Sequence, residues 1–300
     1  MKKFGRLLIC LDATEKDSLI LQHLQLLKHN LEIKKSYFLH VIKKSILPND
    51  IDQTFGASIS QPDAAENNIK RLIKDELGDW LTDHKVIIER GNLVEKTLDA
   101  VKKYKIDLLV LSRNTDTELS YKTQKIASMA NCSVLFIPHV PTDLYQKIVV
   151  PIDFSDNARR ALNRALWQKK RNSSLQILPV HCYRVPSGYT KTGKSFQEFA
   201  TIMRKNAEKE FELLITELKL PDITCEFFLV KNKKRIPRRI FEYTIRSKAD
   251  FLIMGARGRT EFTSIFLGSN AIKLLDECSH LPVLMEKDET NINLLNKFLQ

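Results

Sequence analysis

Residues 250–270, DFLIMGARGRTEFTSIFLGSN, decide the fold, because they pass from an apolar strand through a glycine turn and a long loop to a helix start. The run at 250–254 has the continuous apolar character of a buried parallel strand. Gly255 follows at the carboxyl end of that strand, which is the edge where open α/β sheets bind ligands. Gly268 and Ser269 open a predicted helix, whose free N–H groups favour an anion. The stretch therefore predicts a phosphate-binding turn.

Further residues of the same stretch suit an anion. Gly258 allows the backbone to approach a phosphate closely, and Arg257 and Arg259 add positive charge. Ser269 either caps the predicted helix or donates its hydroxyl to the phosphate. The competing interpretation is a loop whose glycines merely turn the chain.

Length and composition favour a two-domain protein. The chain has 300 residues, a formal net charge of +12 and five dispersed cysteines without a C-x-x-C pair, which favours reduced thiols over a metal site. No apolar run approaches the length of a membrane span, and the hydrophobic part of the start is too short for a secretory signal, so we expect a cytoplasmic location. Residues 142–300 hold most of the excess positive charge, which favours an anionic ligand there.

The pattern of strands is repeated. Predicted strands alternate with helices, which indicates a right-handed parallel α/β layer. They lie at residues 4–11, 36–42, 85–89, 107–111 and 133–137, and again at 147–152, 175–182, 225–230, 250–254 and 281–285. Residues 138–143 read as a linker between the copies. Ser155 is predicted to cap the first helix of the second copy.

Matching positions keep a nearly constant offset between the copies. The pairs are Asp12 and Asp153, His40 and His181, Asp107 and Asp250, and Val134 and Val283. The offset is 141 for the first two pairs, 143 for the third and 149 for the last. The extra residues therefore accumulate around the glycine loop of the second copy, whereas residues 111–125 of the first copy contain no glycine.

The spacing G-x2-G-x9-G-S, at Gly255, Gly258, Gly268 and Ser269, resembles the nucleotide-binding signature of the ATP-binding branch of the universal stress protein family. With the strand order, nearly the whole chain resembles a tandem member of that family. The resemblance implies two α/β, Rossmann-like (adenine nucleotide alpha hydrolase-like) domains, at 1–140 and 145–287. Each is a five-stranded parallel sheet with helices on both faces. Residues 288–300 are predicted to be a tail, with enough apolar residues for a short amphipathic helix.

The resemblance also implies a ligand, ATP or a related adenine nucleotide with or without Mg²⁺, bound once per chain in the second domain. By position, Asp153 and Cys182 lie beside the ribose and adenine, and Arg257 and Asn270 belong to the same site. Cys182 departs from the valine that the family usually has there. The alternatives are a helix-capping or loop carboxylate for Asp153 and a core histidine for His181.

Residues 188–195, GYTKTGKS, match the P-loop pattern G-x4-G-K-S. Five residues that include Pro186 separate the match from its strand, so a flexible loop is favoured over a complete P-loop NTPase. An intermediate hypothesis is that Lys194 and Ser195 fold over a nucleotide held by the glycine motif. No nucleophile elbow, metal-ligand cluster or carboxylate pair is evident, so an enzymatic function is not the first expectation. The competing enzymatic function is a slow ATPase.

The resemblance implies a nucleotide-responsive regulator or interaction protein in stress, in which binding orders residues 259–267 and alters a surface that an unknown protein partner recognises. The two domains are expected to form an internal pseudo-dimer through their last strands, and a homodimer is a further expectation. A non-nucleotide interaction module is the alternative. Nucleic acid is not favoured as a partner, because the basic run at 231–239 lacks interleaved aromatic residues.

Overall fold

The computed structural model describes residues 4–28, 31–42, 61–80, 83–113, 117–142, 144–220, 223–257 and 268–287. Gly258, Arg259, the loop at 259–267 and the tail at 288–300 lie outside the described residues. The chain divides into two compact units, whose described parts fall within residues 2–143 and 144–287. None of the described helices combines the length and apolar character needed to cross a membrane.

The N-terminal unit is an open parallel sheet with the strand order β3-β2-β1-β4-β5. Its strands are β1 Arg6–Leu11, β2 Lys35–Ile42, β3 His84–Arg90, β4 Leu108–Arg113 and β5 Ser133–Pro138. Its helices are α1 Asp17–Leu27, α2 Gln61–Leu77, α3 Leu93–Lys103 and α4 Thr117–Met129.

The C-terminal unit repeats this plan with the strand order β8-β7-β6-β9-β10, again parallel throughout. Its strands are β6 Lys147–Pro151, β7 Gln176–Tyr183, β8 Glu226–Leu229, β9 Phe251–Gly255 and β10 Val283–Glu286. Its helices are α5 Asp156–Arg171, α6 Phe196–Glu217, α7 Ile236–Ser247 and α8 Ser269–Glu277, with 3₁₀ turns at Ser187–Thr192 and Lys233–Arg235. The prediction of an α/β fold with parallel sheets is confirmed.

The strands of the C-terminal unit are buried from both sides. Val149 and Val150 of β6, and Leu252 and Ile253 of β9, have no exposed side-chain surface. Such continuous apolar runs form strands only where both faces of a sheet are covered. Helix α5 supplies part of the cover, and its N-cap is Ser155 as predicted, since the hydroxyl oxygen accepts a hydrogen bond from the backbone N–H of Ala158.

The order of the strands places a ligand-binding edge in this unit. From β6 the chain continues to β7 on one side of the sheet, and from β9 it continues to β10 on the other side. Strands β6 and β9 are neighbours, so their carboxyl ends flank the point where the chain direction reverses. Open α/β sheets bind ligands in the crevice at this point.

Candidate functional site

A cavity of about 250 Å³ lies at this edge, between helices α7 and α8 and the ends of β6, β7 and β9. Its walls are largely apolar. They include Ile152, Val180, Ile236, Ile240, Met254, Ala271 and Leu274. The volume lies near the lower end of clefts that hold small ligands, about 300 to 1,000 Å³.

Most residues that were predicted from the sequence lie together at this cavity. Six of them line it, Asp153, Cys182, Gly255, Arg257, Gly268 and Asn270. They come from four separate segments of the chain, which the fold brings to one edge of the sheet. Ser269 is not among the lining residues and its side chain is exposed. Gly258 lies outside the described residues.

Asp153 orients the start of helix α5 and also lines the cavity. Its Oδ1 atom accepts hydrogen bonds from the backbone N–H of Ser155, at 3.1 Å, and from the Ser155 hydroxyl, at 2.6 Å. The neighbouring Phe154 has a φ of 62°, which is unusual for a residue other than glycine. The carboxylate is therefore held in place by the turn that presents it. Ser155 is the N-cap of α5, so Asp153 is a loop carboxylate at the cavity and not a helix cap.

His181 has a structural role in the described residues. Its Nδ1 atom is 2.7 Å from the carbonyl oxygen of Ile152, and its ring packs at 4.7 Å from the ring of Phe154. In the N-terminal unit, His40 makes the same contact with the carbonyl oxygen of Leu11, at 3.0 Å. The repeated histidine thus joins the ends of two neighbouring strands, and the core interpretation of His181 describes it.

Gly255 is required by packing against helix α5. A Cβ atom at this position would lie 2.6 Å from Asn157 Cβ, 2.8 Å from the Asn157 carbonyl carbon and 3.0 Å from Ala158 N. Two of these three are backbone atoms, which cannot rotate away. The Asn157 side-chain amide also donates to the carbonyl oxygen of Arg257, at 3.3 Å. The close approach of strand end and helix therefore accounts for this glycine without any ligand.

Backbone hydrogen bonds fix Gly268 at the start of helix α8. The N–H of Gly268 donates to the carbonyl oxygen of Ala256, at 3.1 Å. The N–H of Ala256 in turn donates to the carbonyl oxygen of Glu286, at 3.0 Å. Gly268 is the N-cap residue, and no side chain caps this helix. The capping role considered for Ser269 is therefore wrong, because Ser269 is already the first helical residue. The first turn of α8 leaves N–H groups without partners inside the helix.

The charges that line the cavity are mainly positive. Lys233 and Arg257 contribute cations, and among the described lining residues Asp153 contributes the one carboxylate. Burial raises the pKa of the Cys182 thiol to about 12, so this wall is neutral. Lys233 was not among the site residues predicted from the sequence, which considered the basic run at 231–239 only as a whole. The sequence did contain a signal for Lys233. This lysine comes directly before helix α7, which starts at the carboxyl edge of the sheet, where ligands bind.

The P-loop-like segment lies elsewhere. Ser195 is the N-cap of helix α6 and forms a reciprocal capping box with Glu198, whose carboxylate accepts from the Ser195 hydroxyl at 2.7 Å. The preceding residues form the 3₁₀ turn Ser187–Thr192. Neither Lys194 nor Ser195 lines the cavity. This geometry corrects the P-loop interpretation, because a P-loop needs a backbone cradle and a serine available to a metal ion.

The N-terminal unit carries different chemistry at the matching edge. Asp17 is buried, and its carboxylate accepts hydrogen bonds from the backbone N–H groups of Asp12 and Thr14, at 3.1 and 3.2 Å. Burial raises the pKa of Asp17 to about 6. Ser112 Oγ lies 2.6 Å from His139 Nε2. No group of three or more potential metal ligands occurs in the described parts of either unit.

The fold and the cavity define an open α/β domain with a cleft at its switch point. Residues 144–287 match the model of the universal stress protein family. A universal stress protein from Thermus aquaticus, in the 3′ region of QAH/OAS sulfhydrylase, is 29% identical over 142 residues, which are 47% of this chain and 98% of the relative.

Solved structures resemble both units of the chain. A universal stress protein from Archaeoglobus fulgidus DSM 4304 has a TM-score of 0.66 at 16% identity, and the match covers 95% of this chain and 97% of that one. A functionally unknown protein from Pseudomonas aeruginosa PAO1 has a TM-score of 0.67 at 15% identity, with coverage of 98% and 96%. At these identities the likeness shows the fold. The match to the universal stress protein family lies in the C-terminal unit, at residues 144–287.

Proposed function

We propose that the C-terminal unit binds ATP or a related adenine nucleotide. The observation that carries this proposal is the cavity itself, which collects Asp153, Cys182, Arg257 and Asn270 at the switch point of the sheet. A site that combines apolar walls with a few convergent polar groups is typical of small-molecule recognition.

The groups at the cavity fit the parts of such a nucleotide. The apolar walls and the neutral Cys182 suit a base, and the Asp153 carboxylate suits a ribose hydroxyl, which can donate a hydrogen bond to it. The N–H groups of the first turn of α8, together with Arg257, suit phosphate oxygens. A Mg²⁺ ion bound with the phosphates would find the Asp153 carboxylate among the described lining groups.

The match of residues 144–287 to the universal stress protein family supports a regulatory or interaction role for the bound form. We infer that the nucleotide-bound and nucleotide-free forms present different surfaces to a protein partner. Binding of ATP without turnover is the expected behaviour. ATP that survives prolonged incubation with the protein and Mg²⁺ supports binding over hydrolysis, whereas steady release of phosphate would favour the slow ATPase.

The direct test replaces a cavity cation and a matched cation elsewhere. Arg257→Gln removes the guanidinium that lines the cavity, and we expect at least a tenfold weaker ATP affinity by isothermal titration calorimetry. Arg204→Gln is the control, because Arg204 is exposed on α6 and pairs with Glu208 at 2.8 Å. Equal ATP affinity in the wild type and Arg257→Gln would count against the site.

A further inference from the structure

Two cations that follow different strands line the cavity. Arg257 follows β9, and Lys233 belongs to the 3₁₀ turn Lys233–Arg235 that follows β8; both residues line the cavity. Strands β6 and β7, which carry Asp153 and Cys182 at their ends, lie between β9 and β8. Three strand spacings separate β9 from β8, which is roughly 14 Å. The two cations therefore reach the cavity from different strand ends of the sheet.

Lys233 differs from the two arginines of the same basic run that lie in helix α7. Arg238 forms ion pairs with Glu242, at 3.4 Å, and with Glu277, at 3.2 Å. Arg239 pairs with Glu242, at 3.2 Å, and lies over the ring of Phe228. Among the residues that the structure describes, no ion pair involves Lys233.

Three further cations of the run resemble Lys233 in having no ion pair among the described residues. Within the described part of the chain, Lys231, Lys234 and Arg235 also have no ion pair. The basic run therefore has a paired part and an unpaired part. Its helical arginines pair with carboxylates on α7 and α8, whereas Lys233 is the residue of the run that lines the cavity.

The covalent structure of a nucleotide determines which of its groups face Lys233 when its 5′-phosphates lie at Arg257. The 5′-phosphates suit Arg257 and the first turn of α8. A group on the ribose O2′ or O3′, or on the exocyclic nitrogen of the base, points away from the 5′-phosphates. A lysine ammonium offers donors and no acceptor, so it selects an anion or an unprotonated acceptor there.

We propose that Lys233 binds a second anionic group on the nucleotide, remote from its 5′-phosphates. This inference rests on the proposed function, because it assumes that an adenine nucleotide occupies the cavity. The ligand class is an adenine nucleotide with a ribose phosphate, or with a carboxylate on the base. Lys233 is the residue that distinguishes this class from plain AMP and ATP.

The test compares five nucleotides on the full-length protein by calorimetry at low ionic strength. AMP and ATP have anions at the 5′ end alone. Adenosine 3′,5′-bisphosphate and adenosine 2′,5′-bisphosphate add a ribose phosphate, and N6-succinyl-AMP adds carboxylates on the base. We expect at least one of the last three to bind about tenfold more tightly than AMP, and the preferred one identifies where the second anion is attached.

Two variants connect the preference to one side chain. Lys233→Gln should reduce the preference over AMP to about twofold or less. Lys234→Gln is the matched control, because Lys234 neighbours Lys233 in the same turn and does not line the cavity; it should keep the preference. The inference is overturned if all three doubly anionic nucleotides bind no better than AMP, or if Lys233→Gln leaves their advantage intact. ATP that still binds in that case leaves the proposed function standing, and failure of both ATP and AMP to bind refutes both proposals.

Discussion

Replacing Gly255 by alanine should destabilise the C-terminal unit whether or not a nucleotide is bound. The added Cβ would lie 2.6 and 2.8 Å from two carbons of Asn157, whereas carbon atoms at optimal contact are about 3.5 to 4.0 Å apart. Strand β9 or the start of α5 must therefore shift by about 1 Å. Overpacking of this kind costs about 1 to 3 kcal/mol, and the more restricted unfolded chain of an alanine variant returns about 0.4 to 1 kcal/mol. The expected net loss is about 1 to 2 kcal/mol.

The assay uses the two tryptophans of the chain. Trp80 lies in the N-terminal unit and Trp167 in α5, so a Trp80→Phe background makes fluorescence report on the C-terminal unit during urea unfolding. Gly188→Ala is the matched control, because a Cβ there meets nothing within 4 Å and the backbone φ is not positive. It should be neutral or slightly stabilising. An unfolding free energy for Gly255→Ala equal to that of the parent would refute the packing explanation of this glycine.

Three further predictions follow from buried groups. Arg164→Met removes the guanidinium that pairs with the buried Glu286 carboxylate, and it should lower the free energy of unfolding by about 3 to 5 kcal/mol in urea. Adding Glu286→Leu should recover most of this loss. A double variant as unstable as Arg164→Met would contradict a buried ion pair between the two side chains. Burial raises the pKa of Asp17 from 3.8 to about 6, so its contribution to stability is complete below about pH 4 and is lost as the pH rises through about 6. The free energy of unfolding in urea should therefore fall less between pH 4 and pH 7 for Asp17→Asn than for the wild type. Parallel curves of unfolding free energy against pH would argue against the raised pKa. The raised pKa of Cys182, about 12, predicts that iodoacetamide at pH 8 labels this thiol only after unfolding, as peptide mass spectrometry can show; rapid labelling of the folded protein would contradict it.

Much of the fold could be predicted because its strands are continuous apolar runs. Residues 250–254 were predicted as a strand, and β9 is Phe251–Gly255. Ser155 was predicted as an N-cap, since a hydroxyl before an apolar helical face has few other roles. The 3₁₀ turn Ser187–Thr192 was missed, because its Gly-Tyr-Thr-Lys sequence has no apolar period to reveal it.

The candidate site was predictable where it depends on strand ends, and not where it depends on packing. Asp153 and Cys182 were predicted from the resemblance to the universal stress protein family, and both line the cavity because the carboxyl ends of parallel strands meet at one edge of the sheet. The reason for Gly255 lies in the distance to Asn157, which no local pattern contains. Ser269 was misjudged because the hydrogen bond from Gly268 to Ala256 fixes which residue is the cap. Lys233 was missed because only the placement of α7 turns part of a charged loop into a cavity wall.

The central claim is that one adenine nucleotide binds per chain, in the cavity of the C-terminal unit. Its most direct test is equilibrium dialysis with ATP on the wild type and on two variants at Cys182. Cys182→Val introduces the residue found at the matching position, Val41, and should retain one bound ATP per chain, whereas Cys182→Phe should abolish binding by filling the cavity. Absence of ATP binding to the wild type, or equal binding to a folded Cys182→Phe protein, would contradict the account.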